Sequence, residues 1–196
     1  MSLEGHLVML HGMTGTASKM MPLAESLVPS GWGVYCPEGP FAHPSGGKAW
    51  WTNGLDRTGA VPDMVSQISI SMDKLENELP SGKLILGGFS QGGAIASAFT
   101  SRISFERVLG LVLIATKTVD ASELGKRLVE VSPRPVIWMH GERDPIIPID
   151  EAVRHMNCFL AAGWEVEEFR HGKGHMVDLS QRGAMVRSIE GIARPD

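Results

Sequence analysis

A chain of 196 residues, 43% hydrophobic and 20% charged, is long enough to bury one sizeable core and has the composition of an ordinary globular protein. A formal net charge of −4 with no long basic run argues against nucleic acid or an anionic membrane surface as a partner. No stretch reaches the roughly 18 consecutive apolar residues of a membrane span, and no signal-peptide pattern opens the chain.

In chain order, short apolar runs alternate with amphipathic segments. Residues 6–10 read as a strand, 18–28 as a helix with Ser18 as its N-cap, and 32–36 as the next strand. Residues 63–79 carry Val65, Ile68, Met72, Leu75 and Leu79 at helical spacing. A strand at 83–87 leads into an Ala-rich helix at 92–102. A strand at 107–115 leads into a helix at 122–131, and a strand at 135–140 into a helix at 149–162. The last strand, 164–169, precedes a closing helix at 176–192. Strand-then-helix order predicts an α/β fold, a mostly parallel sheet of six strands with helices on both faces. With no linker, repeat or low-complexity tract, residues 1–196 are expected to form a single domain.

Residues 37–61 break the rhythm. They hold Pro37, Pro40 and Pro44, five glycines (Gly39, Gly46, Gly47, Gly54 and Gly59), and the adjacent pair Trp50 and Trp51. Irregular segments this long are often functional, and two tryptophans on a loop need something apolar to cover.

In sheets of this kind ligands gather where strands end at their carboxyl side. After residues 83–87 comes Gly88-Phe89-Ser90-Gln91-Gly92-Gly93, a Gly-x-Ser-x-Gly turn between a buried strand and a helix. Such a turn lifts a serine hydroxyl above the sheet, and side chains at positions 88 and 92 would collide with strand and helix. Ser90 is therefore the candidate nucleophile. After residues 135–140 comes an acidic loop in which Asp144 is the candidate for orienting a base, with Glu142 as competitor. After residues 164–169 comes Arg170-His171-Gly172-Lys173-Gly174-His175, where His175 is the candidate base and His171 its competitor. The four-residue spacing of the two histidines is discounted as a metal pair, because the intervening glycines disfavour a helix that would align them. The order Ser90, Asp144, His175 is Ser, acid, His.

Residues 11–15, His11-Gly12-Met13-Thr14-Gly15, follow the first strand. The backbone N–H groups of Met13 and Gln91 are the expected oxyanion donors. His11 and His140 read as structural, hydrogen-bonded residues.

These blocks, with Ala49-Trp50-Trp51 and His140-Gly141-Glu142-Arg143-Asp144-Pro145-Ile146-Ile147-Pro148, resemble the phospholipase/carboxylesterase family of α/β-hydrolases, which includes acyl-protein thioesterases and small bacterial carboxylesterases. The resemblance implies the same three catalytic residues. It departs from the family's pattern of one or two strands before the one that leads into the His-Gly loop, since here that strand begins at residue 6; a trimmed sheet with residues 32–36 as its edge is therefore expected. No room is left for a large cap domain.

The expected reaction is cleavage of a small-molecule acyl ester, with thioesterase or lysophospholipase action on longer acyl chains as alternative and a non-catalytic binding module behind both. Trp50, Trp51, Ile146 and Ile147 are the expected substrate-binding residues, beside Met13. No Gly-x-Gly-x-x-Gly follows a strand and no phosphate loop precedes a Gly-Lys pair, so no nucleotide, metal or other cofactor is expected. The only cysteines, Cys36 and Cys158, lack metal-like or redox-like spacing. A cytoplasmic setting is expected, with a disulfide between them and a homodimer both left open.

Overall fold

A computed structural model of the chain describes residues 3–52 and 63–194. Its frame is a six-stranded sheet in the order β2-β1-β5-β6-β7-β8, every adjacent pair parallel. The strands are β1 (Gly5–Leu10), β2 (Gly33–Tyr35), β5 (Lys83–Phe89), β6 (Val108–Ile114), β7 (Val136–Gly141) and β8 (Val166–His171). β2 is an edge strand, as expected for residues 32–36. β3 (Phe41–Ala42) and β4 (Lys48–Ala49) form a small antiparallel hairpin inside the segment read as irregular, and residues 53–61 of that segment lie outside the described residues.

Alternation along the strands sorts the core into two layers. Val8, Leu10, Leu84, Leu86, Leu111, Leu113 and Trp138 face α2 (Met64–Glu78), α3 (Gln91–Ala98), α4 (Ala121–Leu128) and α5 (Ile149–Ala161). Leu7, Met9, Ile85, Val112, Ile114, Ile137 and Met139 face α1 (Ala17–Leu27) and α6 (Arg182–Ala193). With both faces covered, the central strands are almost wholly apolar, the expected signature of a buried parallel sheet.

Three element boundaries correct the sequence reading. α1 is capped by Thr16, whose Oγ1 accepts the Lys19 N–H at 3.2 Å; Ser18 lies within the first turn and bonds the Thr16 hydroxyl. The helix expected at 92–102 stops at Ala98 and continues as 3₁₀ turns, Phe99–Ser101 and Ile103–Arg107. The closing helix begins at Arg182, not at 176. Asp178 interrupts it: its carboxylate accepts the Ser180 N–H at 3.1 Å and caps the 3₁₀ turn Leu179–Gln181.

The strand order places a topological switch between β1 and β5, since the chain leaves β1 toward β2 on one side and returns to β5 on the other. The loops after β1 and β5 diverge there, which leaves a crevice at the carboxyl ends of the two strands.

Candidate active site

Ser90 occupies the turn between β5 and α3 with φ 54° and ψ −118°, a conformation L residues avoid. The strained turn is clamped on both sides. The Ser90 N–H donates to the Ile114 carbonyl at 2.9 Å, and the Ser90 carbonyl accepts the Thr116 hydroxyl at 2.7 Å. A Cβ at Gly88 would overlap the Gly92 backbone, and one at Gly92 would overlap the Leu10 and His11 carbonyls. The turn thus lies directly against the end of β1. Among the described residues, the non-glycine residues at positive φ are Thr14, Ser90 and Ala115, at the carboxyl ends of the neighbouring strands β1, β5 and β6. Backbone strain concentrates at the crevice.

Asp144 and His175 arrive on the loops after β7 and β8. Those loops are stitched together: Glu142 N–H donates to His171 O at 2.8 Å and Arg143 N–H to Lys173 O at 3.2 Å. A Cβ at Gly141 would overlap the Lys173 and Gly174 carbonyls, so the glycine lets the histidine loop lie over the end of β7. The result is a continuous chain of contacts. His175 Nδ1 is 2.7 Å from Asp144 Oδ2, and His175 Nε2 is 3.0 Å from Ser90 Oγ. Phe89 packs beneath the imidazole at 4.9 Å between ring centroids.

The other oxygen of Asp144 accepts two backbone N–H bonds, from Ile146 at 2.8 Å and Ile147 at 3.0 Å. Burial pushes the carboxyl up, but the Ile147 N–H, the His175 ring and the Ile146 N–H outweigh it and hold Asp144 below the ordinary carboxylate value. It is ionised and fixed in rotation, which suits it to orient an imidazole. Glu142 is exposed and His171 is buried, with Nδ1 facing the Lys173 N–H at 3.3 Å; neither joins the chain of contacts. Among the described residues no group of three or more His, Cys, Asp or Glu is disposed to hold a metal.

The loop after β1 lies beside the serine turn, with Gly12 against Phe89. Among the described residues the Met13 and Gln91 N–H groups have no acceptor, and α3 directs its N-terminus to the same place. His11 and His140 are structural. His11 Nδ1 donates to the Gly12 carbonyl at 2.7 Å while Nε2 accepts the Gly39 N–H at 3.0 Å. Wholly buried His140 donates from Nε2 to the Ile147 carbonyl at 2.9 Å. Burial lowers the pKa of both.

The expected substrate-binding set needs correction. Trp50 has no exposed surface: its indole N–H donates to the His11 carbonyl at 2.9 Å and its ring joins the core. Ile147 is also a core residue, whereas Ile146 is 66% exposed beside the Asp144 loop. Trp51 is half-buried against the same core. An apolar pair such as Trp50-Trp51 or Ile146-Ile147 turns one member inward, and its spacing alone does not say which. Sequence reasoning also missed the Gln91 side chain, whose Oε1 accepts the Trp50 N–H at 2.8 Å and whose Nε2 donates to the Trp51 carbonyl at 2.7 Å. Asp178 was missed as well. The Lys173 ammonium and the Ser180 hydroxyl hold its carboxyl far below the ordinary value, which fastens the loop just after His175.

A six-stranded parallel sheet with a strained serine turn after its third strand in chain order is the architecture of an α/β-hydrolase. The chain belongs to the alpha/beta hydrolase fold family, whose model matches residues 5–134. It is similar to acyl-protein thioesterase 1 of Neurospora crassa, 22% identical over 172 residues that cover 85% of this chain and 70% of that protein. It is also similar to acyl-protein thioesterase 1 of Cryptococcus neoformans, 28% identical over 93 residues; that match takes in 47% of this chain and only 39% of the relative. Among solved structures, Zea mays acyl-protein thioesterase 2 superposes with a TM-score of 0.79 at 20% identity, covering 99% of this chain and 96% of that one. The Bacillus cereus carboxylesterase gives 0.71 at 17% identity, covering 96% and 89%. Likenesses of that degree establish the shared fold.

Proposed function

We propose that the chain is a serine hydrolase of carboxylic esters, with Ser90 as nucleophile, His175 as base and Asp144 as its orienting acid. The observation that carries this reading is the two-sided imidazole, 2.7 Å from the Asp144 carboxylate on one nitrogen and 3.0 Å from the Ser90 hydroxyl on the other. An ionised acid at Nδ1 keeps the proton there and leaves the lone pair of Nε2 facing the serine.

The steps follow from that tautomer. Ser90 Oγ attacks the acyl carbonyl and its proton passes to His175 Nε2. The resulting oxyanion sits among the Met13 and Gln91 N–H groups at the α3 N-terminus. Collapse breaks the bond to the leaving oxygen, which takes the proton from Nε2, and an acyl-enzyme remains on Ser90. Water enters, loses a proton to Nε2 and releases the acid, restoring Ser90.

The names of the relatives favour a second reading within the same chemistry, an acyl thioesterase. Rates on an oxygen ester and a thioester of one acyl group decide between them. A silent binding module is tested by Ser90→Ala and by a fluorophosphonate probe. Loss of p-nitrophenyl butyrate hydrolysis by about 10³-fold or more, with loss of labelling, supports the enzyme. Near-native turnover in the variant defeats it.

A cytoplasmic setting is part of the proposal. Cys36 and Cys158 are free, burial pushes the Cys36 thiol up to about 11, and among the described residues no helix is long and apolar enough to cross a membrane.

A further inference from the structure

Between α1 and the loop after β8 lies an open groove of about 540 Å³, and His175 is among the residues that line it. Leu23 forms one wall, Met176 and Leu179 the other, and Phe89 lies under the imidazole. Met176 and Leu179 are 48% and 61% exposed. Large apolar side chains are held at the surface here by a loop that Asp178 fastens to Lys173 and Ser180. The rim carries charge of one sign only, from Lys19 and Arg182, and no carboxylate lines the groove. None of its walls comes from the tryptophan pair or the isoleucine pair.

On the mechanism above, His175, which lines this groove, returns a proton to the departing oxygen, so the leaving group must pass beside its ring. Resting on that reading, we propose that the groove receives the leaving-group side of the substrate, an apolar alcohol or thiol without positive charge. Apolar contact along Leu23, Met176 and Leu179 then holds the departing group next to His175 Nε2. The cationic rim disfavours an ammonium-bearing alcohol.

The test is a series of acetate esters of straight-chain primary alcohols, from ethyl to octyl, whose leaving groups are of nearly equal acidity. The chemistry stays constant while the buried length grows. The expected kcat/KM rises about twofold per added methylene, the share of a full apolar transfer that a half-open groove supplies. Leu179→Ser and, separately, Leu23→Ser should flatten the series, cutting octyl acetate about fivefold while ethyl acetate stays within about twofold. Choline acetate should be slower than its neutral isostere 3,3-dimethylbutyl acetate, and Lys19→Glu should narrow the gap. A flat wild-type series, a slope that neither variant changes, or preference for the choline ester overturns the proposal. Fluorophosphonate labelling of Ser90, measured on every variant, separates the two levels. Labelling with a flat series defeats the groove alone, whereas absence of labelling in the wild type defeats the catalytic reading beneath it.

Discussion

The side-chain amide of Gln91 grips the backbone on both sides of the Trp50–Trp51 peptide, accepting from the Trp50 N–H at 2.8 Å and donating to the Trp51 carbonyl at 2.7 Å. The residue that follows the serine thus contributes twice. Its backbone N–H has no acceptor among the described residues and is the proposed oxyanion donor, while its buried side chain anchors the segment after the β3–β4 hairpin. Gln91→Met should keep the backbone donor but leave two backbone groups unpaired, costing about 2–4 kcal/mol of stability. Gln91→Glu should be worse than Met, because its second oxygen faces the Trp51 carbonyl and two acceptors repel. Urea melts of the three proteins check the order; Glu equal to wild type would remove the anchor.

Asp144→Asn is expected to lower kcat by about 10³- to 10⁴-fold with little change in fold. The Ile146 and Ile147 N–H groups dictate which way the new amide turns. They hold its oxygen, so its NH₂ must face His175 Nδ1. The imidazole then takes the tautomer with its proton on Nε2, and Ser90 loses its acceptor. Single-turnover kinetics with a chromogenic ester measure the loss. A variant within about tenfold of wild type would contradict the orienting role.

His155 is wholly buried, with Nε2 2.9 Å from the Ser97 hydroxyl, and burial lowers its pKa to about 4. Its ordinary value is 6.5. Between those values the unfolded chain binds more protons than the folded one, so stability rises with pH and is lost as pH falls through the window. The slope should approach ~1.4 kcal/mol per pH unit from this group alone. His11 and His140, also lowered by burial, add in the same direction. His155→Met should flatten the dependence of Tm on pH between about 4 and 6.5. Parallel wild-type and variant curves would show that His155 does not carry it.

Gly46 and Gly47 both have positive φ, 90° and 73°, in the β3–β4 turn. They differ in what surrounds them. A Cβ at Gly46 meets nothing, whereas one at Gly47 would overlap the Thr14 carbonyl in the loop that carries the Met13 N–H. Gly46→Ala should cost only the backbone strain, about 1 kcal/mol. Gly47→Ala should also push that loop, lowering kcat on a simple ester well beyond what Gly46→Ala does. Equal kinetics for the pair would mean that the hairpin does not support the loop.

What was legible in the sequence is what depends on neighbours along the chain. A buried apolar run, a Gly-x-Ser-x-Gly turn and an Ala-rich helix are contiguous, so Ser90 stood out. The 3₁₀ turn at Leu179–Gln181 was not legible, because a helical pattern from 176 onward says nothing of Asp178 bonding Lys173 and Ser180 instead. The hairpin at 41–42 and 48–49 was hidden in the same way, since two-residue strands carry no periodicity.

By itself the amino-acid sequence determined the strand-helix rhythm, the six-stranded parallel sheet and the residue types offered at each strand end. These follow from local propensity and from the period of burial. The sequence preferred Asp144 to Glu142 and His175 to His171; only the tertiary structure brought Asp144 to the His175 ring and that ring to Ser90, and spent Trp50 in the core. Those meetings hang on contacts across 85 residues from Ser90 to His175 and 31 from Asp144 to His175. No pattern of neighbours encodes where two distant loops come to lie.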